Sequence, residues 1–179
     1  MPSDKARLHR IRKSWTLALS IAGLAGGVTC AAPTSPAQAQ STATGISGTP
    51  EVLDADIQKF GTQRVIRWGI DAPEQKQTCQ LNGQHWGCYD VAFRYLQLLS
   101  GRGEVTCTYK GDPDPFGRRY GVCTSGGEDL NADMVKAGMA LAFDEQSTDY
   151  DTEMADAIAA GVGLWQPGVK FEEPWVFRR

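Results

Sequence analysis

From Glu51 onward the chain alternates short runs of β-branched and aromatic residues with punctuation by Gly, Pro and Asp. "EVLDADIQKF", Glu51 to Phe60, reads as a strand; "GTQ" turns the chain, and "RVIRWGI" reads as a second strand. Pro73 bars regular structure in the loop "DAPEQKQT". The period then changes. In "YDVAFRYLQLLSGR" the apolar positions Val91, Tyr95, Leu98 and Leu99 recur at helical spacing, and Gly101 ends the run. "EVTCTYK" and "RRYGVCT" return to strand character on either side of the turn "GDPDPFG". "DLNADMVKAGMALAF" predicts a helix capped by Asp129 or Asn131, with Leu130, Met134 and Val135 facing the core. "DYDTEMADAIAAGVGLW" predicts a last helix with a solvated acidic face, stopped by Gly161 and Gly163. Gln40 to Gly48 is small and polar and reads as a linker or frayed start. This order of strands, helix, strands and helices predicts an α+β domain with a small barrel-like sheet.

Residues 1–39 follow a different pattern. Lys5, Arg7, Arg10, Arg12 and Lys13 precede an apolar run from Trp15 to Val28, and Ala37 and Ala39 form an A-x-A end. This is the layout of a cleaved secretory signal peptide. The apolar run is short of the roughly 20 residues that a membrane-spanning helix needs. Cys30 lacks the preceding Leu that a lipid-anchored cysteine would have. The expected organisation is therefore signal peptide 1–39, linker 40–50 and one domain over 51–179, periplasmic or secreted and without a membrane span after cleavage. A monomer is expected.

Composition refines the picture at two points. At 41% hydrophobic and 9% aromatic, the chain can bury a core. Of its 18 Lys+Arg and 21 Asp+Glu, residues 1–39 hold five and one, which leaves 13 basic against 20 acidic residues, a net of −7. That excludes the bulk electrostatic mode of nucleic-acid binding, so any phosphate affinity must come from a local constellation or a metal ion. Four cysteines remain after cleavage: Cys79, Cys88, Cys107 and Cys123. Three pairings are open, and local geometry favours Cys79–Cys88 across "QLNGQHWG" and Cys107–Cys123 across a hairpin. A zinc site would want C-x2-C spacing or nearby histidines, and His85 alone does not supply them.

"VLDAD", "GIDAPE", "DPFGR", "DLNADMVKAGMALAF" and "GLW" occur in that order. Together they resemble the thermonuclease (staphylococcal nuclease-like) family, over about Glu51 to Trp175. Cys79 and Cys88 around "GQHWG" resemble its exported bacterial members. The resemblance implies a five-stranded OB-fold barrel with about three helices and calcium-dependent hydrolysis of phosphodiester bonds, with DNA, RNA or a nucleotide as substrate. Carried over residue by residue, it makes Asp56 and Asp71 calcium carboxylates, with the Ala72 backbone carbonyl a further ligand. Glu74 becomes the catalytic glutamate and Arg118 the phosphate-binding arginine, with Phe116 in place of a tyrosine. Calcium is a hard cation that takes oxygen ligands, a carboxylate can activate water, and a guanidinium matches two phosphate oxygens.

The departures bear on activity. Family members carry a second arginine five residues before the Asp of "DAPE"; here that residue is Ile66. Arg67 is one place late, and strand alternation turns it to the opposite face unless a bulge rotates it inward. Arg64 shares the face of Ile66 but lies further along the strand. Ala55 replaces a glycine that could serve a special backbone angle, Ile57 replaces a hydroxyl, and Asp144 and Glu145 would repel a polyanion. Trp86, Trp165 and Trp175 read as packing residues rather than base-stacking platforms. Two functional expectations follow: a calcium-dependent nuclease of reduced activity, with Arg67 a doubtful catalytic group, or a catalytically dead binding or envelope-associated module.

Overall fold

The computed structural model describes residues 44–179; the predicted signal peptide lies outside them. The strands are β1 (Gly45–Gly48), β2 (Glu51–Val52), β3 (Ile57–Phe60), β4 (Gln63–Arg67), β5 (Ile70–Asp71), β6 (Cys79–Leu81) and β7 (Gln84–Trp86). Helix α1 (Cys88–Ser100) follows, then β8 (Val105–Lys110), β9 (Arg119–Ser125), β10 (Glu128–Asp129), α2 (Leu130–Lys136) and β11 (Leu141–Ala142). The chain ends through α3 (Asp151–Ala160), a 3-10 turn at Gly163–Trp165, β12 (Val169–Lys170) and α4 (Pro174–Phe177).

The main sheet has the order β1-β8-β9-β4-β3-β2, with β10 on β9. The β4–β9 pair is parallel and its other pairs are antiparallel. Two smaller sheets, β11-β5 and β12-β6-β7, flank it. This is α+β, but two expectations need correction. The hydrogen-bonded path is open, where a closed five-stranded barrel was expected. Its end strands β1 and β2 are consecutive in the chain, separated by Thr49 and Pro50, and Pro50 has no N–H to offer a ladder. Among the described residues there are also four α-helices where about three were expected, because "PWVF" after Glu173 forms α4 with Pro174 at its first turn.

Local chemistry explains several finer differences. Residues 45–48, expected to be linker, pair with β8 from Gly45↔Thr108 to Gly48↔Val105. The run Glu51–Phe60 is broken by a turn, in which the Leu53 and Asp54 N–H groups donate to the Ile57 carbonyl. The loop between Cys79 and Cys88 is a hairpin, β6–β7, turned by Asn82 (φ 53°) and Gly83 (φ 79°). Asn-Gly is the favoured pair for that left-handed turn. Both local disulfides, Cys79–Cys88 and Cys107–Cys123, are present, the second across directly opposed positions of β8 and β9.

The core lies between the main sheet and α1 and α2, around Val65, Leu96, Leu99, Val105, Leu130, Met134 and Val135. Burying each such side chain contributes about 1.5–3 kcal/mol against chain entropy. The α1 stripe is rotated from its expected position. Ala92, Leu96 and Leu99 are buried, whereas Leu98 is 60% exposed. In α2 the cap is Asp129, whose carboxylate accepts from the N–H groups of Asn131 (2.8 Å) and Ala132 (3.2 Å). Past α2, the Leu164 N–H donates to the Gly138 carbonyl at 2.9 Å. Gly163 has φ 56°, and a Cβ there would strike the carbonyls of Ala137 and Gly138. The glycine of "GLW" is thus required by a close backbone crossing.

Candidate functional site

Alternation along β4 sends neighbouring side chains in opposite directions. Ile66 lines an open hollow of about 330 Å³ on one side of the sheet, and Arg67 also borders it. Arg67 is 1% exposed, and its guanidinium is held inside the core. Its Nη2 donates to Gln58 Oε1 at 2.8 Å and its Nη1 to Asn131 Oδ1 at 2.9 Å. Gln58 in turn donates to Ser100 Oγ, and that hydroxyl to the Leu96 carbonyl. Asn131 Nδ2 donates to the carbonyls of Trp68 and Gly121, and its Oδ1 also accepts from the Cys123 N–H. Asn131 is therefore a fully satisfied core linker, not the alternative cap. One polar chain ties β3, β4, α1 and α2. Burial lowers Arg67 to about 10, opposed by the fields of Asp129, Asp56 and Tyr150. Arg64 is exposed and does not line the hollow.

The hollow collects motif residues from four places. Asp54 and Asp56 come from the turn before β3, Asp71 and Glu74 from β5 and the loop after it, and Arg118 from the turn into β9. Arg178, from the C-terminus, is the fourth contributor. Asp56 is placed by its backbone, whose carbonyl accepts from the Arg67 N–H at 3.0 Å. Ala55, expected to matter as a lost glycine, is not among the residues with positive φ and is buried. The Asp71 backbone pairs with Leu141 in β11. Gln77 fixes the Glu74 loop: its Oε1 accepts from the Glu74 N–H at 2.9 Å, and its own N–H donates to the Glu74 carbonyl at 2.8 Å. Its Nε2 donates to the Glu172 carbonyl, so one amide joins this loop to the C-terminal segment.

Arg118 is tethered by Asp114, which accepts from its Nε at 2.6 Å and from its backbone N–H at 2.8 Å. The terminal Nη1 and Nη2 have no protein acceptor among the described residues. The exposed Phe116 ring lies 5.6 Å from the guanidinium. Asp144 and Glu145 do not line this hollow; they border a separate cleft beside Trp165 and Trp175. The three tryptophans pack against a small core of Cys79, Cys88, Leu141 and Leu164, as their packing reading implied. His85 is exposed on β7. A larger recess of about 430 Å³ near α2 and α3 holds none of the motif carboxylates, although it adjoins the cap residue Asp129.

Sequence reasoning missed Arg178. Its Nη1 and Nη2 grip Asp71 Oδ1 and Oδ2, each at 2.8 Å, and Nη1 also donates to Glu74 Oε1. Arg178 lies beyond the last family-like motif, and no periodicity singles out an arginine one place from the terminus.

The electrostatics follow from this crowding. Burial, then the carboxylates of Asp71, Asp54 and Glu74, push Asp56 up to about 8, while Arg178 opposes the rise. Burial also raises Asp71, against the hydrogen bonds and charge of Arg178. The hollow is short of positive charge. Its oxygens suit a hard cation in kind, and a carboxylate oxygen that accepts from a guanidinium keeps a further lone pair. Even so, no group of three or more His, Cys, Asp or Glu side chains among the described residues is arranged to hold a metal ion.

The model of the family described as staphylococcal nuclease homologue matches residues 64–167, which include Asp71, Glu74, Arg118 and the β4–β9 core. The chain belongs to this family. It is also similar to the succinoglycan biosynthesis protein ExoI of Rhizobium meliloti (strain 1021), at 29% identity over 125 residues. That alignment covers 68% of this chain and 65% of the relative, so the chain spans just under two thirds of the length of this curated relative. A nuclease-like domain is thereby shown. No helix among the described residues is long and apolar enough to cross a membrane.

Proposed function

We propose that this member of the staphylococcal nuclease family is an exported, calcium-dependent phosphodiesterase acting on DNA or RNA, at a rate reduced by Ile66. The observation that carries the reading is the convergence of Asp56, Asp71, Glu74 and Arg118, from separate elements, on one open hollow. Glu74 takes the proton from the attacking water, for which its half-buried carboxylate at the mouth of the hollow is suited. The free terminal nitrogens of Arg118 hold two oxygens of the phosphoryl group, with Asp114 fixing the side chain from behind. Asp56, Asp71 and the Ala72 carbonyl would hold calcium, which supplies Lewis-acid polarisation of the phosphoryl oxygen when bound. Ile66 presents an apolar side chain where a second donor would act, and losing one such donor costs about 10²–10³ in rate. Two disulfides support an oxidising compartment.

One observation favours the alternative of a non-catalytic module. Arg178 already pairs with Asp71 and Glu74, and its bond to Glu74 must open before that carboxylate can receive a proton from water. The two readings separate in a cleavage assay on single-stranded DNA and RNA, with calcium and then with a chelator. The proposal predicts slow calcium-dependent cleavage that Glu74→Gln abolishes. Folded protein that cuts neither substrate at high concentration would leave the binding module.

A further inference from the structure

The hollow holds a guanidinium that neither the motifs nor the family match assigns, since Arg178 lies beyond residue 167. Three features separate it from a stray terminal charge. The segment carrying it is anchored along its length. β12 pairs with β6, the Glu172 carbonyl accepts from Gln77, Pro174 is fully buried, and Trp175 packs on Phe143 at 5.4 Å between ring centres. The side chain itself is 45% exposed while bonded to a carboxylate that is 5% exposed, so it forms part of the wall of the hollow.

The third feature is which donors are used. A guanidinium has five N–H groups in a plane. Arg178 turns its Nη1/Nη2 end onto Asp71, and the second Nη1 hydrogen onto Glu74. What remains is the Nε–H and the outer hydrogen of Nη2, which lie side by side on one edge and have no protein acceptor among the described residues. Such an edge accepts two oxygens of a phosphate in parallel. Arg118 is the complement: its Nε is engaged by Asp114 and its terminal edge is open. Of the three arginines that border the hollow, Arg118 and Arg178 are thus each clamped by a carboxylate through one edge and open through another. Without Arg178, an incoming phosphate would meet Asp54, Asp56, Asp71 and Glu74 with Arg118 as the one lining arginine among the described residues that has open terminal nitrogens, because those of Arg67 are taken up by Gln58 and Asn131.

We infer that Arg178 is a phosphate-binding residue of this site: a second guanidinium supplied by the C-terminal segment in place of the strand position held by Ile66. The inference rests on the phosphodiesterase reading of the hollow, and it adds a substrate contact to that reading. It assigns the open Nε/Nη2 edge to a phosphate oxygen pair, while the Nη1/Nη2 end stays on Asp71 and keeps the side chain oriented.

The test is calorimetric binding of adenosine 5′-monophosphate to the full chain, with calcium and with a chelator, for wild type, Arg178→Gln, Arg178→Lys and Arg118→Ala. Glutamine keeps an amide donor for Asp71 but has no Nε/Nη2 edge; lysine keeps the charge without the planar fork. Arg178→Gln is expected to weaken binding about tenfold or more, the range for hydrogen bonds to charged groups. Arg178→Lys should recover part of the loss, and Arg118→Ala should lose a comparable amount. Thermal melting of each variant confirms folding, and the lysine variant carries the comparison should the glutamine variant fail to fold. If Arg118→Ala weakens binding and neither Arg178 variant does, Arg178 merely neutralises Asp71 and Glu74 and the assignment is wrong. If folded wild type binds no nucleotide under either condition, the phosphodiesterase reading itself fails, and the assignment with it.

Discussion

Arg67 and Arg178 carry the same side chain into two regions that treat it in opposite ways. In the seam between the sheet and the helices, Arg67 is enclosed by neutral partners, Gln58 and Asn131, with its Nε left without an acceptor. Burial there makes the charge costly, and the fields of Asp129, Asp56 and Tyr150 oppose that cost. In the hollow, Arg178 is half exposed and bonded to two carboxylates, so its charge is stabilised and one edge remains free. Proximity in sequence to "GIDAPE" therefore says little about which arginine serves the site. What decides is the partner chemistry around each head group. A buried cation with neutral partners holds elements together, while a half-exposed cation held by carboxylates keeps an edge open for a ligand.

Changes on the two sides of this comparison should have separable effects. The largest is expected at Glu74. Glu74→Gln keeps shape and hydrogen bonding but removes the base, and should lower the cleavage rate by about 10²–10⁴ with little change in melting temperature. Rates within a factor of three of wild type would remove Glu74 from the chemistry. Next is Arg67→Ala, which opens a cavity and strands Gln58 and Asn131. It should cost about 3 kcal/mol, seen as a fall of about 10 °C in Tm. An unchanged Tm would mean that the polar seam contributes nothing. Ile66→Arg adds a donor on the hollow side of β4 and should raise kcat/KM about tenfold; no rise would argue against a phosphate at that wall. The smallest effect is expected at Arg64, exposed and outside the hollow. Arg64→Ala should shift stability by less than about 0.5 kcal/mol and leave cleavage unchanged, and a larger loss of cleavage would bring the far end of β4 into the site.

The contrast also shows how far residue patterns reach. Alternation along β4 is a local rule, and it is enough to turn the Arg67 guanidinium into the core while Ile66 stays part-exposed on the hollow, although Arg67 also borders that hollow. The ordered motifs placed Asp56, Asp71, Glu74 and Arg118 within reach of one another because each sits next to an element with a clear signal. The α1 face was rotated because Val91, Tyr95, Leu98 and Leu99 satisfy helical spacing as well as the buried set does; which stripe turns inward is decided by the sheet it meets. The hairpin β6–β7 carried its own signal in Asn82-Gly83, but its strands of three residues each are too short to show an alternating pattern. The open sheet and β1 depend on pairing with β8, about 60 residues away, and a segment of Gly, Ile and Ser announces no such partner. Arg178 is the extreme case. Its contacts with Asp71 and Glu74 span more than 100 residues and depend on anchoring by Gln77, Pro174 and Trp175 that no short window contains.

The measurement that tests the central claim most directly is a paired comparison of Arg67→Ala and Arg178→Gln, each followed by thermal melting and by calcium-dependent cleavage of single-stranded DNA well below its Tm. Arg67→Ala should melt about 10 °C early yet cleave within about threefold of wild type while folded. Arg178→Gln should melt within a few degrees of wild type and lose about 10²-fold in cleavage. An Arg67→Ala protein that melts normally but does not cut, beside an Arg178→Gln protein that cuts like wild type, would contradict the account.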